Sequence, residues 1–302
     1  MSEFFLELFT EEIPANLQST ARENLKTSFI AFLDKENIKY KNDVRALSTP
    51  NRLVIYFKNI NKEIVQNPEE VKGPSTSAPD KAIQGFVKSN RIDIKEIYKK
   101  ETNKGEFYFF KKPYKKLKTV QILNDNMPKI LETIKWKKSM KWGEFDLYWA
   151  RPLKSILAIF DGKPMQFRYH HLSSSNFTFV DKDFEEKTKT FKNFNSYLSY
   201  FKNIKIIIDN ELRKKKIEKE LIKLSNKKNL KINIDKKLLV EVAGIVEKPR
   251  IIFCSFDKKF LKIPKEIIVI TMQHHQKYFP TFDHKENLTN SFFVVADNSD
   301  KK

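Results

Sequence analysis

Cysteine occurs once in the 302 residues, at Cys254. That excludes an intramolecular disulfide framework and a cysteine-built zinc site, and it suits a reducing compartment. Glycine is scarce too, with six in all. Neither the Gly-Lys-Ser/Thr phosphate loop nor the Gly-x-Gly-x-x-Gly turn is present, so nucleotide binding by a glycine loop is not supported. A serine nucleophile elbow is missing for the same reason. No apolar run approaches the roughly 18–20 residues of a spanning helix. The opening Met1-Ser2-Glu3-Phe4-Phe5-Leu6-Glu7 has no basic segment, and Glu7 ends its apolar run, so it does not read as a signal peptide. The expectation is a soluble, cytoplasmic protein with no membrane partner.

What the chain has in excess is positive charge: 58 Lys and Arg against 38 Asp and Glu, for a formal net charge of +20. Lysine far outnumbers arginine, and with the heavy use of Asn, Ile and Phe this skew is what AT-rich codons produce. A solvated lysine surface thus accounts for part of the surplus. The remainder favours a polyanionic partner, because each neutralised phosphate releases condensed counterions. Nucleic acid is the leading partner class. With 40% hydrophobic and 13% aromatic residues the chain has the means to bury cores, unlike a disordered polyelectrolyte.

Periodicity points to an α+β fold, multidomain, with mixed, mostly antiparallel sheets and packed helices. Phe4 to Phe9 reads as a buried strand. Leu17, Ala21, Leu25, Phe29, Phe32 and Leu33 recur at helical spacing after Pro14. Val44–Leu47 and Leu53–Phe57 read as strands around Thr49-Pro50-Asn51. Gly73-Pro74-Ser75-Thr76-Ser77-Ala78-Pro79 is the strongest loop signal and a candidate domain junction. A short helix through Ala82 and Phe86, a strand at Glu106–Phe110 and a helix around Val120–Ile134 follow. Ile156–Phe160 and Met165–Tyr169 read as strands, and Ser173–Lys192 as a polar linker. Ile204–Ile208 reads as a strand, and Leu212, Ile217, Leu221 and Leu224 as one face of a charged helix. A further helix through Leu238–Val246, strands at Ile251–Cys254 and Phe292–Val295, and a helix started by Pro264 complete the pattern. The segments group as 1–72, 73–192 and 193–302.

Few residues nominate chemistry. His170-His171 and His274-His275 are adjacent pairs, and neighbours on a strand or helix point in different directions, so they make poor joint ligands; no metal is expected. Glu11-Glu12 near a helix start suits the helix dipole better than catalysis. No catalytic residue stands out. The stretch from Lys135 to Arg151 is more informative, because interleaved Trp and Lys can stack on exposed bases while neutralising phosphates. Its aromatic residues can equally pack a core beneath solvated lysines. Lys137, Lys138, Lys141 and Arg151 are the candidate phosphate contacts, with Trp142 a stacking or core residue. Gln273-His274-His275-Gln276-Lys277-Tyr278 is a second polar cluster, from which His275, Gln276 and Lys277 are candidates.

Several ordered stretches resemble the β subunit of bacterial heterotetrameric glycyl-tRNA synthetase. They are Leu6-Glu7-Leu8-Phe9-Thr10-Glu11-Glu12-Ile13-Pro14 and Ser48-Thr49-Pro50-Asn51-Arg52-Leu53, then Lys72-Gly73-Pro74 with Ala82–Phe86, and Met140-Lys141-Trp142-Gly143 with Arg151-Pro152. The densest run extends from Glu241 through Val246-Glu247-Lys248-Pro249 to Thr271–Phe279. The chain departs from the family at Ser175–Phe179, where members usually show a Gly-His-Arg-Phe stretch. Family members are more than twice as long, and regions similar to an HD-type domain and an anticodon-binding domain would lie beyond Lys302.

The resemblance implies a tRNA-binding subunit that completes an assembly of two α and two β chains. The α subunit would use ATP with magnesium to activate glycine, with no cofactor held by this chain. It also implies a portion similar to the B3/B4 region of phenylalanyl-tRNA synthetase, placed within 73–192. The rival expectation is a truncated RNA-binding or assembly module with no part in aminoacylation.

Overall fold

The computed structural model describes residues 1–66, 69–112, 114–180 and 187–297. The chain opens with β1 (Ser2–Thr10), α1 (Ala15–Lys35), β2 (Val44–Ser48) and β3 (Arg52–Ile60). Next come β4 (Glu63–Gln66), β5 (Glu70–Ser75), α2 (Asp80–Asn90), β6 (Ile97–Thr102), β7 (Gly105–Lys111), β8 (Lys115–Lys118) and α3 (Thr119–Glu132). A run of strands follows: β9 (Leu153–Phe160), β10 (Lys163–Pro164), β11 (Arg168–Tyr169), β12 (Leu172–Ser175), β13 (Phe177–Phe179) and β14 (Thr188–Thr190). The last part holds α4 (Phe194–Asn203), α5 (Asn210–Lys227), β15 (Lys231–Ile232), α6 (Lys236–Ile245), β16 (Pro249–Ser255), α7 (Lys265–Ile270), β17 (Phe279–Phe282) and β18 (Leu288–Asp297). The fold is α+β with mostly antiparallel pairing.

Two compact units emerge, one formed by residues 1–61 and 123–302, the other by 62–122. The sequence-drawn boundary at 72/73 falls inside β5. The boundary at 192/193 falls between Phe191 and Phe194, which share one buried cluster.

In the larger unit the main sheet runs β11-β12-β9-β1-β3-β2, with β10 on β9. Its central strand β1 is buried on both faces, as a near-continuous apolar run requires. Phe4 meets Phe29 of α1 with ring centroids 5.3 Å apart, while Phe5 on the opposite face meets Phe194 and Tyr197 of α4 at 5.2 and 4.7 Å. Each fully buried aromatic contributes roughly 1.5–3 kcal/mol to holding the helices on the sheet. A second sheet, β15-β17-β18-β16, buries Phe279, Phe293 and Val295 against Ile217 and Leu221 of α5 and Leu239 and Val242 of α6. Asp209 and Asp235 cap α5 and α6 by accepting backbone N–H bonds.

Four sequence expectations change. Ile204–Ile208 is not a strand; it follows α4 as irregular chain, with Ile206 and Ile208 in the α4 core. Of the polar stretch Ser173–Lys192, residues 181–186 lie outside the described residues; the described remainder is structural, with β12 parallel to β9 and β13 antiparallel to β14. The loop signal Gly73–Pro79 is divided: Gly73–Ser75 belong to β5, which takes them as a register shift between Lys72 and Ser75, and 76–79 form the turn into α2. On α5, Leu212 points outward at 58% exposure, and Arg213 takes the inward position.

Candidate nucleic-acid interface

Three of the stretches singled out in the sequence meet inside the larger unit. Arg52, on β3, is completely buried and carries its rings of contact with it: its guanidinium lies 4.7 Å from the Phe9 centroid and 4.4 Å from that of Phe201. It donates to Glu7 Oε2 at 3.2 Å and Thr178 Oγ1 at 3.3 Å, and through Nη2 to the Phe179 carbonyl at 2.9 Å. Its Nε stands 3.4 Å from Glu247 Oε1 as an ion pair. Tyr197 donates to Glu7, and Thr49 to Glu247. Arg213 completes the set by donating to the carbonyls of Ala243 at 2.7 Å, Ile207 at 2.5 Å and Ser48 at 3.0 Å.

Burial would lower the Arg52 pKa, but the Glu7 and Glu247 carboxylates override it and hold the group above its ordinary value. Arg213 has no such close carboxylate, and burial draws it down to about 10. Arg52 pairs with its two glutamates out of reach of solvent, while Arg213 is held by backbone carbonyls. Glu7, Arg52 and Glu247 therefore join β1, β3 and the approach to β16; they are not groups that touch a ligand.

The basic and aromatic stretch 135–151 forms an excursion between α3 and β9, closed by reciprocal backbone bonds between Met140 and Trp149 at 2.8 and 3.1 Å. Trp149 is buried and meets Trp136 edge-on at 5.1 Å, and Trp136 packs on Ile13 and Leu17. Trp149 is core, and Trp136 lies half-buried against it. Trp142 is half-buried, 6.0 Å from the His171 ring, on which Phe145 stacks at 3.7 Å. Lys137, Lys138 and Lys141 are exposed; Lys141 pairs with Asp146 at 2.6 Å, which raises its pKa. Arg151 is half-buried at the entry to β9 and donates to its neighbour's carbonyl.

His275, Gln276 and Lys277 occur elsewhere, where α7 runs on through a π-turn at Thr271–His275 toward β17. His275 and Gln276 are exposed, while Lys277, at φ 61°, pairs with Glu241 at 2.9 Å. Gln276 edges an apolar hollow of about 330 Å³ walled by Phe260, Ile263, Ile267, Tyr278 and Phe292. The two candidate sets thus border different sheets.

A third location was not singled out in the sequence. Between α5 and the start of β16 lies a hollow of about 390 Å³, lined by Lys205, Lys216, Lys223, Lys248 and Arg250, with Glu220 the one carboxylate. Lys216, Glu220 and Lys223 recur at i, i+4 and i+7, which places them on one stripe of α5. Lys248 and Arg250 flank Pro249, and Lys205 adopts the left-handed conformation just past α4. Only the α5 spacing was visible in the sequence. A concavity with this excess of cationic donors suits phosphate oxygens. Among the described residues no cluster of three His, Cys, Asp or Glu side chains is placed to hold a metal ion, and no helix is long and apolar enough to cross a membrane.

The family model described as glycyl-tRNA synthetase beta subunit matches residues 4–302. The chain belongs to this family. The chain is 34% identical over 296 residues to the glycine–tRNA ligase beta subunit of Rickettsia bellii strain OSU 85-389, a match covering 98% of this chain and 45% of that protein. For the same subunit of Rickettsia prowazekii strain Madrid E the figures are 35% over 295 residues, 98% and 44%. The chain therefore spans less than half the length of the curated relatives it matches. Within this glycyl-tRNA synthetase β family member, the stretches Leu6–Glu7, Ser48–Leu53 and Val246–Pro249 build the buried arginine–glutamate set.

Proposed function

We propose that this chain serves a glycine–tRNA ligase as its β subunit, binding glycine transfer RNA while a separate α subunit performs the chemistry. In this reading the α subunit uses ATP and magnesium to form the adenylate. The β chain holds the transfer RNA so that its terminal ribose meets that intermediate; positioning alone accounts for a large share of the barrier in such a transfer. The assembly has two α and two β chains and works in the cytoplasm. No group of this chain acts on the reacting atoms.

The observation that carries the reading is the basic hollow in a family member of net charge +20. Lys137, Lys138, Lys141 and Arg151, with Trp142, and His275, Gln276 and Lys277 remain further proposed contacts. A second reading, an RNA-binding or assembly module without aminoacylation, draws on the same basic hollow, whose lysines and arginine suit the phosphates of any RNA.

The test is glycine-dependent charging with a purified α-type subunit, each component omitted in turn. Charging that needs both chains supports the first reading. Salt-sensitive transfer RNA binding without charging supports the second, and the absence of both removes the proposal.

A further inference from the structure

The smaller unit, residues 62–122, carries a three-stranded antiparallel sheet in the order β5-β7-β6. Strand alternation sorts its side chains onto two faces. On one face α2 packs, with Phe86 edge-on to Phe110 at 5.8 Å and so close to Gly73 that a Cβ there would meet the Phe86 ring at 2.7 Å.

The opposite face is set by the register Lys72↔Phe109↔Tyr98 and Phe107↔Lys100, with Glu70↔Lys111 beside them. Aromatic rings and ammonium groups alternate across it. Lys72 Nζ lies 3.4 Å from the Phe107 centroid, Lys100 Nζ 5.5 Å from that of Phe109, and Lys111 Nζ 5.9 Å from that of Tyr98. The three lysines are exposed, Phe107 and Tyr98 are half-buried, and Phe109 is the buried centre. Glu70 is the carboxylate of the face; it pairs with Lys100 and accepts from the Tyr98 hydroxyl at 2.7 Å.

We infer that this face is a platform for unpaired RNA bases: a base stacks on Phe107 once Lys72 swings from the ring to the neighbouring phosphate, and Tyr98 offers a second ring across the sheet. The chemistry is that of sheet-borne aromatic residues stacking bases while cations track the backbone. A lysine on a long flexible stem vacates a ring at small cost, since its exposed cation–π contact is weak. The inference rests on the transfer RNA reading in its choice of RNA, but its geometry is independent of the basic hollow, which belongs to the larger unit.

The test uses the whole chain and two fluorescein-labelled probes, a short oligouridylate and a blunt RNA duplex of equal phosphate number, read by anisotropy across a salt series. Phe107→Leu keeps the apolar bulk and removes the ring. It is expected to weaken oligouridylate binding roughly 5- to 100-fold, the loss of one stacked base, and to leave the duplex unchanged. Lys72→Glu, at an exposed position that does not support the core, is expected to weaken the oligouridylate and lower its salt slope by about 1 or more. If both variants bind the oligouridylate as the parent does, or if the parent does not bind it, the platform is wrong. Parental transfer RNA binding with unaffected variants leaves the functional reading standing alone. Variant-sensitive oligouridylate binding without transfer RNA binding does the reverse.

Discussion

Arg52 shows what a single buried charge demands of its surroundings. Its guanidinium lies in the core between two carboxylates, those of Glu7 and Glu247. Arg52→Met strands two carboxylates in the core, and breaking such a set by removing one partner costs about 3–5 kcal/mol; urea unfolding of the variant should show a midpoint lowered accordingly. A loss under about 1 kcal/mol would mean that water reaches the set. His171 makes a different prediction. Burial lowers its pKa, with the neighbouring His170 and Arg168 acting in the same direction, and Nδ1 has no hydrogen-bond partner among the described residues. The folded state thus resists protonation. The contribution of the neutral ring to stability is present above the ordinary histidine value of about 6.5 and is lost as pH falls through it toward the depressed folded value. Thermal melts of His171→Gln should accordingly fall less than the parent's between about pH 7 and pH 5.5, and parallel curves would refute the assignment.

At the scale of elements, α1 and α6 approach closely at Gly244. A Cβ on Gly244 would lie 2.5 Å from that of Ala15, so Gly244→Ala must separate the two helices; Gln18, which donates to the Gly244 carbonyl at 2.7 Å, would lose its bond. Overpacking of this kind costs about 1–3 kcal/mol, readable as a lowered melting temperature, and Ala15→Gly in the same chain should recover part of it. Elements such as α1 and α6 were legible in the sequence because their apolar residues keep one helical period, and β1 because its unbroken apolar run is what a strand covered on both faces needs. Arg213 defeats that reading, since an arginine at an inward position looks like surface until the carbonyls of Ser48, Ile207 and Ala243 are seen to converge on it. Ile204–Ile208 misleads in the other direction: its β-branched residues fill the α4 core from an irregular segment. The basic hollow was illegible because its lysines come from separate elements, and only the α5 stripe leaves a trace.

For the whole molecule the governing quantity is the net charge of +20. If the hollow between α5 and β16 holds phosphates, Lys216→Glu with Lys223→Glu should reduce the salt slope of transfer RNA binding by about 2, while an equal charge change at Lys26 on α1 and the exposed Lys39 after it, neither of which lines the hollow, should leave it near the parental value. Equal effects from both pairs would mean a diffuse field and no local site. The place of β1 at the centre of the main sheet carries one more consequence, for how the molecule comes into being. On the ribosome β1 and its partner β3 are complete by Ile60, but the strand on its other side, β9, begins at Leu153. At about 5–20 residues per second the flank of the newborn Phe4–Phe9 strand waits several seconds or more for its second neighbour, while residues 62–122 assemble from a contiguous stretch. Translation speed across that interval sets how long an apolar strand edge is open to other nascent chains.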